Sequence, residues 1–375
     1  MQSSIFLIGS GQTRFGEWWE KGIKELMEEA VAAAIASSPC TALDIDMIIV
    51  ANMLAEVSNE QAHLGSLASA ILPHRPPALR IESACGSGAF ALHTACAMLE
   101  SGRARNVLVI GVEKMTDVST DDIASGLMGA ADSELDRPSG LTFPGIFGLI
   151  ARRYMHEYGL SREDLSIVSA VHHAQAVANP FAQFRQAISA EAISQSPLVS
   201  DPLRLLDCSP ISDGAAACIL STEHSSSLRL AASQIATDSL SITERPSLTS
   251  FSATRDAAEK AWEEAGITRK DIGFLETHDC FSIAALINLE DLGFADPGEG
   301  IRIYKELQAK GDAHGLQVNR SGGLKACGHP VAATGIKQLL DLGKQLVSSQ
   351  SQWGLAHNFG GACATCGVHI LEYTV

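Results

Sequence analysis

The chain reads as a layered α/β protein made of two similar halves, and three features of its sequence predict this. Strand patterns alternate with helix patterns over most of its length. The run Asn106 to Val112, NVLVIGV, is apolar except at its first residue and the glycine, as in a strand covered on both faces. The order of elements in the first hundred residues then recurs after Ala215. There SATRDAAEKAWEEAGITRKDIGFLETHDCFSIAALINLED repeats an earlier order of amphipathic helix, polar link ending in Asp-Ile, apolar strand and helix. The block QVNRSGGLKACGHPVAATGIKQLLDLGKQL mirrors the stretch around Cys85. The halves are expected over 1–225 and 226–375, with an insertion at about 116–206 inside the first.

In order, the first half opens with a strand from Ile5 to Ile8. A helix from Lys21 to Ala36 follows, with Ile23, Leu26, Met27, Val31 and Ile35 on one face. A strand from Ile45 to Ala51 comes next, then a polar connection and a helix near Gln61 to Ile71. An apolar run ends at Ala84, and Gly86, Ser87 and Gly88 open a helix whose apolar residues are Phe90, Leu92, Ala95, Met98 and Leu99. Together with NVLVIGV these predict a largely parallel sheet.

From Thr116 to Leu206 the rhythm changes to loops rich in Gly, Pro, Asp and Ser. Helical patterns lie at Phe147 to Tyr158 and from Ser161, whose hydroxyl forms a capping box with Asp164. Such a segment suits a covering laid over the sheet near a substrate, or an ordinary surface subdomain. In the second half a strand spans Ile272 to Glu276. The final strands, Trp353 to Phe359 and Thr365 to Tyr373, are both matched to the strand at Val107.

Apolar residues make up 46% of the chain and charged residues 19%, the balance of a globular protein. The formal net charge of −16 argues against nucleic acid and anionic membrane surfaces as partners. No basic apolar leader and no run of spanning length is visible, so a cytoplasmic protein is expected. Nine cysteines without a leader do not read as a disulfide framework. The pair Cys363 and Cys366 lacks two further ligands for zinc and falls in an apolar strand pattern, so no metal is expected. Cys40, Cys96, Cys208 and Cys218 read as core fillers.

Cys85 is different, because it sits on a turn between a strand and a helix N-terminus. Unpaired backbone N–H groups and the helix dipole favour a thiolate there, and the same groups suit an oxyanion. The alternative is a small buried thiol. His329 stands in Gly-His-Pro at a helix start, and His278 heads His-Asp-Cys-Phe after the strand ending at Glu276, with Cys280 two residues on. A lone histidine at a turn is more often structural than catalytic. At corresponding turns of two similar halves, they point to a cysteine nucleophile with a base and an electrophile. The pseudo-symmetry has Cys85 facing His329.

These motifs carry a resemblance. SACGSG around Cys85, HDCF at His278 to Phe281, GGLKACGHPVAATG from Gly322 and NFGGACAT from Asn358 resemble the thiolase superfamily, within it the sterol-carrier-protein-2-type thiolases and their archaeal and bacterial relatives. LTFPGIFGLIARRYMHEYG is similar to the loop domain of that family. The resemblance implies a thiolase-like fold in α-β-α-β-α layers and a CoA-dependent acyltransferase that forms or cleaves a β-ketoacyl-CoA such as acetoacetyl-CoA. Cys85 would take the acyl group as a thioester, His329 would activate it and help bind the thioester oxygen, and His278 would complete the oxyanion hole for the enolate. Many thiolases carry a second cysteine in a Cys-x-Gly motif. Here that place reads Asn358-Phe359-Gly360, so Cys280 would abstract the α-proton, and the Gly360 N–H would join that of Cys85 in the second oxyanion hole. The departure at Asn358 bears on condensation and not on acylation.

Coenzyme A esters are then substrates rather than tightly bound cofactors. Arg152, Arg153, Arg185 and Arg204 are expected near the CoA phosphates. The family implies a homodimer or homotetramer. Two alternatives remain at this point: a related acyltransferase or aldol-cleaving subunit that needs a small OB-fold partner protein, and a noncatalytic acyl-CoA binder.

Overall fold

The computed structural model describes residues 4–374, leaving Met1, Gln2, Ser3 and Val375 outside. In the first half β1 (Ile5–Gln12) leads to α1 (Ile23–Ala36), β2 (Met47–Ala51), the short helices α2 (Ala55–Ser58) and α3 (Leu64–Ser69), β3 (Ala78–Ile81), α4 (Ser87–Glu100) and β4 (Asn106–Glu113). The insertion carries α5 (Thr120–Leu127), α6 (Phe143–Tyr158), α7 (Arg162–Ala176), α8 (Ala190–Ser194) and a hairpin of β5 (Leu198–Ser200) with β6 (Leu203–Arg204). After it, β7 (Gly214–Ser221) returns to the sheet. The second half runs β8 (Leu228–Thr237), α9 (Ser252–Ala265), β9 (Ile272–Glu276), α10 (Ser282–Asp291), α11 (Gly300–Lys310), β10 (Gln317–Val318), α12 (Gly323–Cys327), α13 (Thr334–Ser349), β11 (Trp353–Gly360) and β12 (Thr365–Tyr373).

The sheet order is β10-β9-β11-β12-β8-β1-β7-β4-β2-β3. Read outward from the centre, each half uses its first, fifth, fourth, second and third strands. The halves join where Ile5 pairs with Leu230 and Phe6 with Arg229. The sheet is mixed rather than largely parallel. β2 runs parallel to β3 and β4, and β9 parallel to β10 and β11, but β7 and β12 are antiparallel to their neighbours. The reason is connection: β12 follows β11 through a tight turn, with no crossover helix to reverse the chain. The repeat is also shifted from the expectation. β8 is the counterpart of β1, and β12 that of β7 rather than of the strand at Val107. β8 escapes periodicity because Arg229, Ser233 and Gln234 break its apolar pattern.

Burial on both faces produces the layers. Ile48, Val50, Leu108 and Ile110 pack with Leu26, Met27 and Val31 of α1 on the outer side. Their neighbours Ile49, Val107 and Val109 turn inward onto Leu92, Ala95 and Leu99 of α4, and the same core holds Ile336, Leu339 and Leu340 of α13 with Ala356 and Leu371 of the second half. So α4 and α13 form a middle layer that both sheet halves cover, with α9 and α10 packed on the far side. The two middle helices meet at glycines. A Cβ on Gly88 would lie 2.7 Å from the Ala332 carbonyl oxygen, and one on Gly335 would lie 2.7 Å from the Ala89 nitrogen. That approach brings the N-terminal ends of α4 and α13 together. Among the described residues no helix is long and apolar enough to cross a membrane.

Candidate active site

The turn before α4 is tied by one hydroxyl. Ser87 Oγ accepts from the Ser83 N–H at 2.8 Å and donates to the Ala84 carbonyl at 2.6 Å. Ala84 is thereby held at φ +51°, a left-handed conformation that a residue with a side chain adopts at a cost. Cys85 follows and opens onto a cavity of about 430 Å3. Cys280, Phe281, His329, Gly361 and Cys208 share its wall with α6 residues Phe143 and Phe147. Most of the lining is apolar. The cavity therefore lies where the two halves and the insertion meet.

Burial pushes the Cys85 thiol up to about 12, helped by the nearby Glu113 and Glu82 carboxylates, while the Gly361 N–H donates to its sulfur and works the other way. Desolvation thus outweighs the helix N-terminus, and the Cys85 side chain rests as a thiol rather than the expected thiolate. His329 shares the same cavity wall. Burial pushes His329 down to about 3, so the ring is neutral and able to accept. His329 Nδ1 lies 2.7 Å from Thr334 Oγ1, whose own proton goes to the Pro330 carbonyl at 3.1 Å. The threonine oxygen must then accept from Nδ1–H, which leaves the lone pair on Nε2. Among the described residues Nε2 has no hydrogen-bond partner.

His278 stands edge-on to His329, with ring centroids 5.0 Å apart and planes at 85°. Burial, then the neighbouring His329, His357 and Lys325, which disfavour a second positive charge here, hold it well below the usual imidazole range. Asn358 Nδ2 lies 2.9 Å from His278 Nδ1, Phe359 lies 4.1 Å from the ring, and the His278 carbonyl accepts from Asn288 Nδ2 at 2.6 Å. Its Nε2 also lacks a partner among the described residues.

Asp279 connects the two histidine segments. Its carboxylate pairs with His172 of α7 at 2.8 Å and accepts from the Leu324 N–H at 2.8 Å, at the start of α12. Burial opposes its charge, but His172, Lys325 and that N–H outweigh burial and hold it below the ordinary carboxylate range. Lys325 is buried, donates to the Asp207 carbonyl and sits 5.8 Å from the Phe281 ring centroid. Burial, then Cys85, drives the Cys280 thiol well above its ordinary value, and Lys325 offsets part of this.

The structure brings Cys85, Cys280 and His329 to one cavity, with His278 against His329. Gly360 does not line it. Gly360 ends β11, paired with Thr365 and packed on the Ser83 turn, and the next residue, Gly361, presents its N–H to Cys85. The four arginines do not line the cavity either. Arg152 pairs with Asp201, Arg153 with Glu157 at 2.9 Å, Arg185 donates to the Val177 carbonyl and Arg204 to that of Ser196. Cys208, read as core, is on the wall, because an isolated bridge from Cys208 to Phe281 carries it there. Cys327 and Cys363 are buried away from it. Among the described residues no group of three or more His, Cys, Asp or Glu is placed to hold a metal ion. Sequence reasoning missed Thr334, Asn288, Lys325 and Gly361. Only Thr334 left a signal there, a hydroxyl residue five positions after His329.

Residues 5–224 match the family model described as the thiolase N-terminal domain, and residues 235–373 match the model described as thiolase C-terminal domain-like. The chain is 40% identical to an acetyl-CoA acetyltransferase of Methanothermobacter thermautotrophicus, over 98% of this chain and 99% of that protein. It is 30% identical to sterol carrier protein 2 of Homo sapiens, over 95% of this chain and 70% of that protein. The solved Ltp2-ChsH2(DUF35) aldolase superposes with a TM-score of 0.81 at 23% identity, covering 99% of this chain and 98% of that one.

Proposed function

The chain belongs to the thiolase family and is a thiolase-type enzyme, and from this premise we propose that it acts on CoA esters, forming or cleaving acetoacetyl-CoA or a similar β-ketoacyl-CoA through a thioester on Cys85. The observation that carries the reading is the meeting of the Cys85 and Cys280 thiols and the neutral His329 imidazole on one largely apolar cavity, with a second imidazole behind. In the first half-reaction Cys85 Sγ attacks the acyl carbonyl as its proton passes to His329 Nε2. The C–S bond to CoA breaks, and that proton returns to the CoA sulfur. In the second, Cys280 passes its own proton to His329 Nε2, neutral again after acylation, and as a thiolate removes a proton from the methyl of acetyl-CoA, while the enolate oxygen is held by His278 Nε2–H. The carbanion attacks the Cys85 thioester, and the oxyanion is held by the N–H groups of Cys85 and Gly361. Collapse releases the β-ketoacyl-CoA and the Cys85 sulfur, which recovers the proton held on His329 Nε2. Each such donor contributes on the order of 10²- to 10³-fold in rate. The high proton affinity of Cys280 suits it to a weakly acidic carbon acid, and Lys325 eases formation of its thiolate.

A second reading, that the chain works with a small OB-fold partner protein, is favoured by the insertion. Val199 and Leu205 line the cavity and remain 45% and 53% exposed, beside Leu198 at 59%. The name of the similar aldolase also joins two proteins. Under either reading the family implies a homo-oligomer, and halves divided near residue 225. The test is thiolysis of acetoacetyl-CoA by the purified chain with CoA. Turnover by the chain alone supports the first reading, turnover only with an added partner supports the second, and no turnover in either case sinks both.

A further inference from the structure

We infer that Asn358 is a positioning residue that sets the tautomer of His278, an inference that rests on the thiolase reading above. The Asn358 amide nitrogen lies 2.9 Å from His278 Nδ1. Its oxygen faces the other way, since a Cβ on Gly335, the second residue of α13, would lie 2.7 Å from Asn358 Oδ1. Oδ1 has no hydrogen-bond partner among the described residues, and the positive end of the α13 dipole favours an oxygen on that side, so the NH2 group faces the histidine. An amide NH2 donates and cannot accept. His278 Nδ1 is therefore the lone-pair nitrogen, and the ring proton sits on Nε2. The arrangement is rigid: Asn358 is buried in β11 opposite Gly367, and Phe359 lies 4.1 Å from the imidazole.

Thr334 sets His329 the opposite way, with the proton on Nδ1. Two neutral imidazoles 5.0 Å apart thus hold opposite tautomers. His329 offers a lone pair that takes the Cys85 proton, and His278 offers an N–H that meets the enolate oxygen. A donor already in place requires no reorganisation when that charge develops. With Cys280 available for proton transfer, the position that holds a cysteine in many thiolases is free for this task.

The test uses the full chain with acetoacetyl-CoA and CoA. Asn358→Asp replaces the donor by an acceptor of the same shape. Neutral His278 then carries its proton on Nδ1, and only the protonated ring still donates from Nε2. Thiolysis kcat is expected to fall on the order of 10²-fold above pH 8, with KM changed by less than about threefold. Activity should recover as pH falls through the imidazole range, an acid-favoured limb that the wild type lacks. The tautomer is read directly from the 15N shifts of the His278 ring in the wild type. A proton on Nδ1 there overturns the inference, as does a wild-type pH profile in Asn358→Asp. If wild-type Cys85 takes no acyl group, the thiolase reading falls while the tautomer measurement still decides the role of Asn358. If Asn358→Asp does not fold, the wild-type spectrum decides alone.

Discussion

A methyl group placed on Gly88 tests how the fold assembles the site. In the native chain that Cβ would lie 2.7 Å from the Ala332 carbonyl oxygen and 3.0 Å from the nitrogens of Gly335 and Ile336, all backbone atoms. Reaching the 3.4 Å of ordinary contact means moving the Val331–Ala333 turn by about 0.7 Å. That turn begins two residues after His329. Overpacking of this kind costs about 1–3 kcal/mol, and the better helix propensity of alanine returns about 1 kcal/mol, so Gly88→Ala should lose only about 0–2 kcal/mol of stability. The effect on rate is larger, because a misplacement near 1 Å between reacting groups costs on the order of 10²-fold. Acylation of Cys85 by acetoacetyl-CoA, followed by stopped-flow release of acetyl-CoA, should slow by roughly 10- to 100-fold. Urea unfolding measures the stability separately. Gly129→Ala serves as control, since nothing lies within 4 Å of its added methyl group. Wild-type acylation in Gly88→Ala would refute the idea that glycine contact between α4 and α13 sets the distance from Cys85 to His329.

Other consequences are open to measurement. Cys280→Ala should still accept an acyl group on Cys85 but lose on the order of 10²- to 10⁴-fold in condensation, and equal loss in both steps would count against separate roles for the two thiols. The acylation rate should stay flat from pH 5.5 to 8, because His329, pushed down to about 3, is already deprotonated and Cys85, pushed up to about 12, is still protonated. A loss of rate centred near pH 6.5 on the acid side would show an ordinary, solvated imidazole instead. Asp279→Asn removes the buried carboxylate shared by His172 and the Leu324 N–H and should cost about 1–3 kcal/mol by urea unfolding. A cost under about 1 kcal/mol would mean that Asp279 does not tie the HDCF segment to α7 and α12.

Much of this architecture was legible because its signals are local. Two-sided burial shows in the unbroken apolar run of β4, and the repeat of helix, link, strand and helix places Cys85 and His329 at corresponding turns. What escaped depends on contacts far apart in sequence. β8 carries polar residues because it lies at the seam between halves, where hydrogen bonding to β1 and β12 and not apolar periodicity holds it. Residues near the site followed the same pattern. Cys208 is drawn to the cavity by pairing with Phe281, 73 positions away, and Asn358 meets His278 across 80. The thiolate expected at Cys85 failed for a different reason: a helix N-terminus is visible in sequence, but the desolvation that overrides it depends on what packs above. Gly361 rather than Gly360 faces the sulfur because β11 ends in a turn whose register only the fold defines.

The central claim is a covalent acyl-enzyme on Cys85, and intact-mass spectrometry tests it most directly. The chain is mixed with acetyl-CoA or acetoacetyl-CoA beside Cys85→Ala. One added acetyl group on the wild type, absent from the variant and discharged by free CoA, is the expected result. An unmodified wild type with both esters, or an adduct that survives in Cys85→Ala, would contradict it.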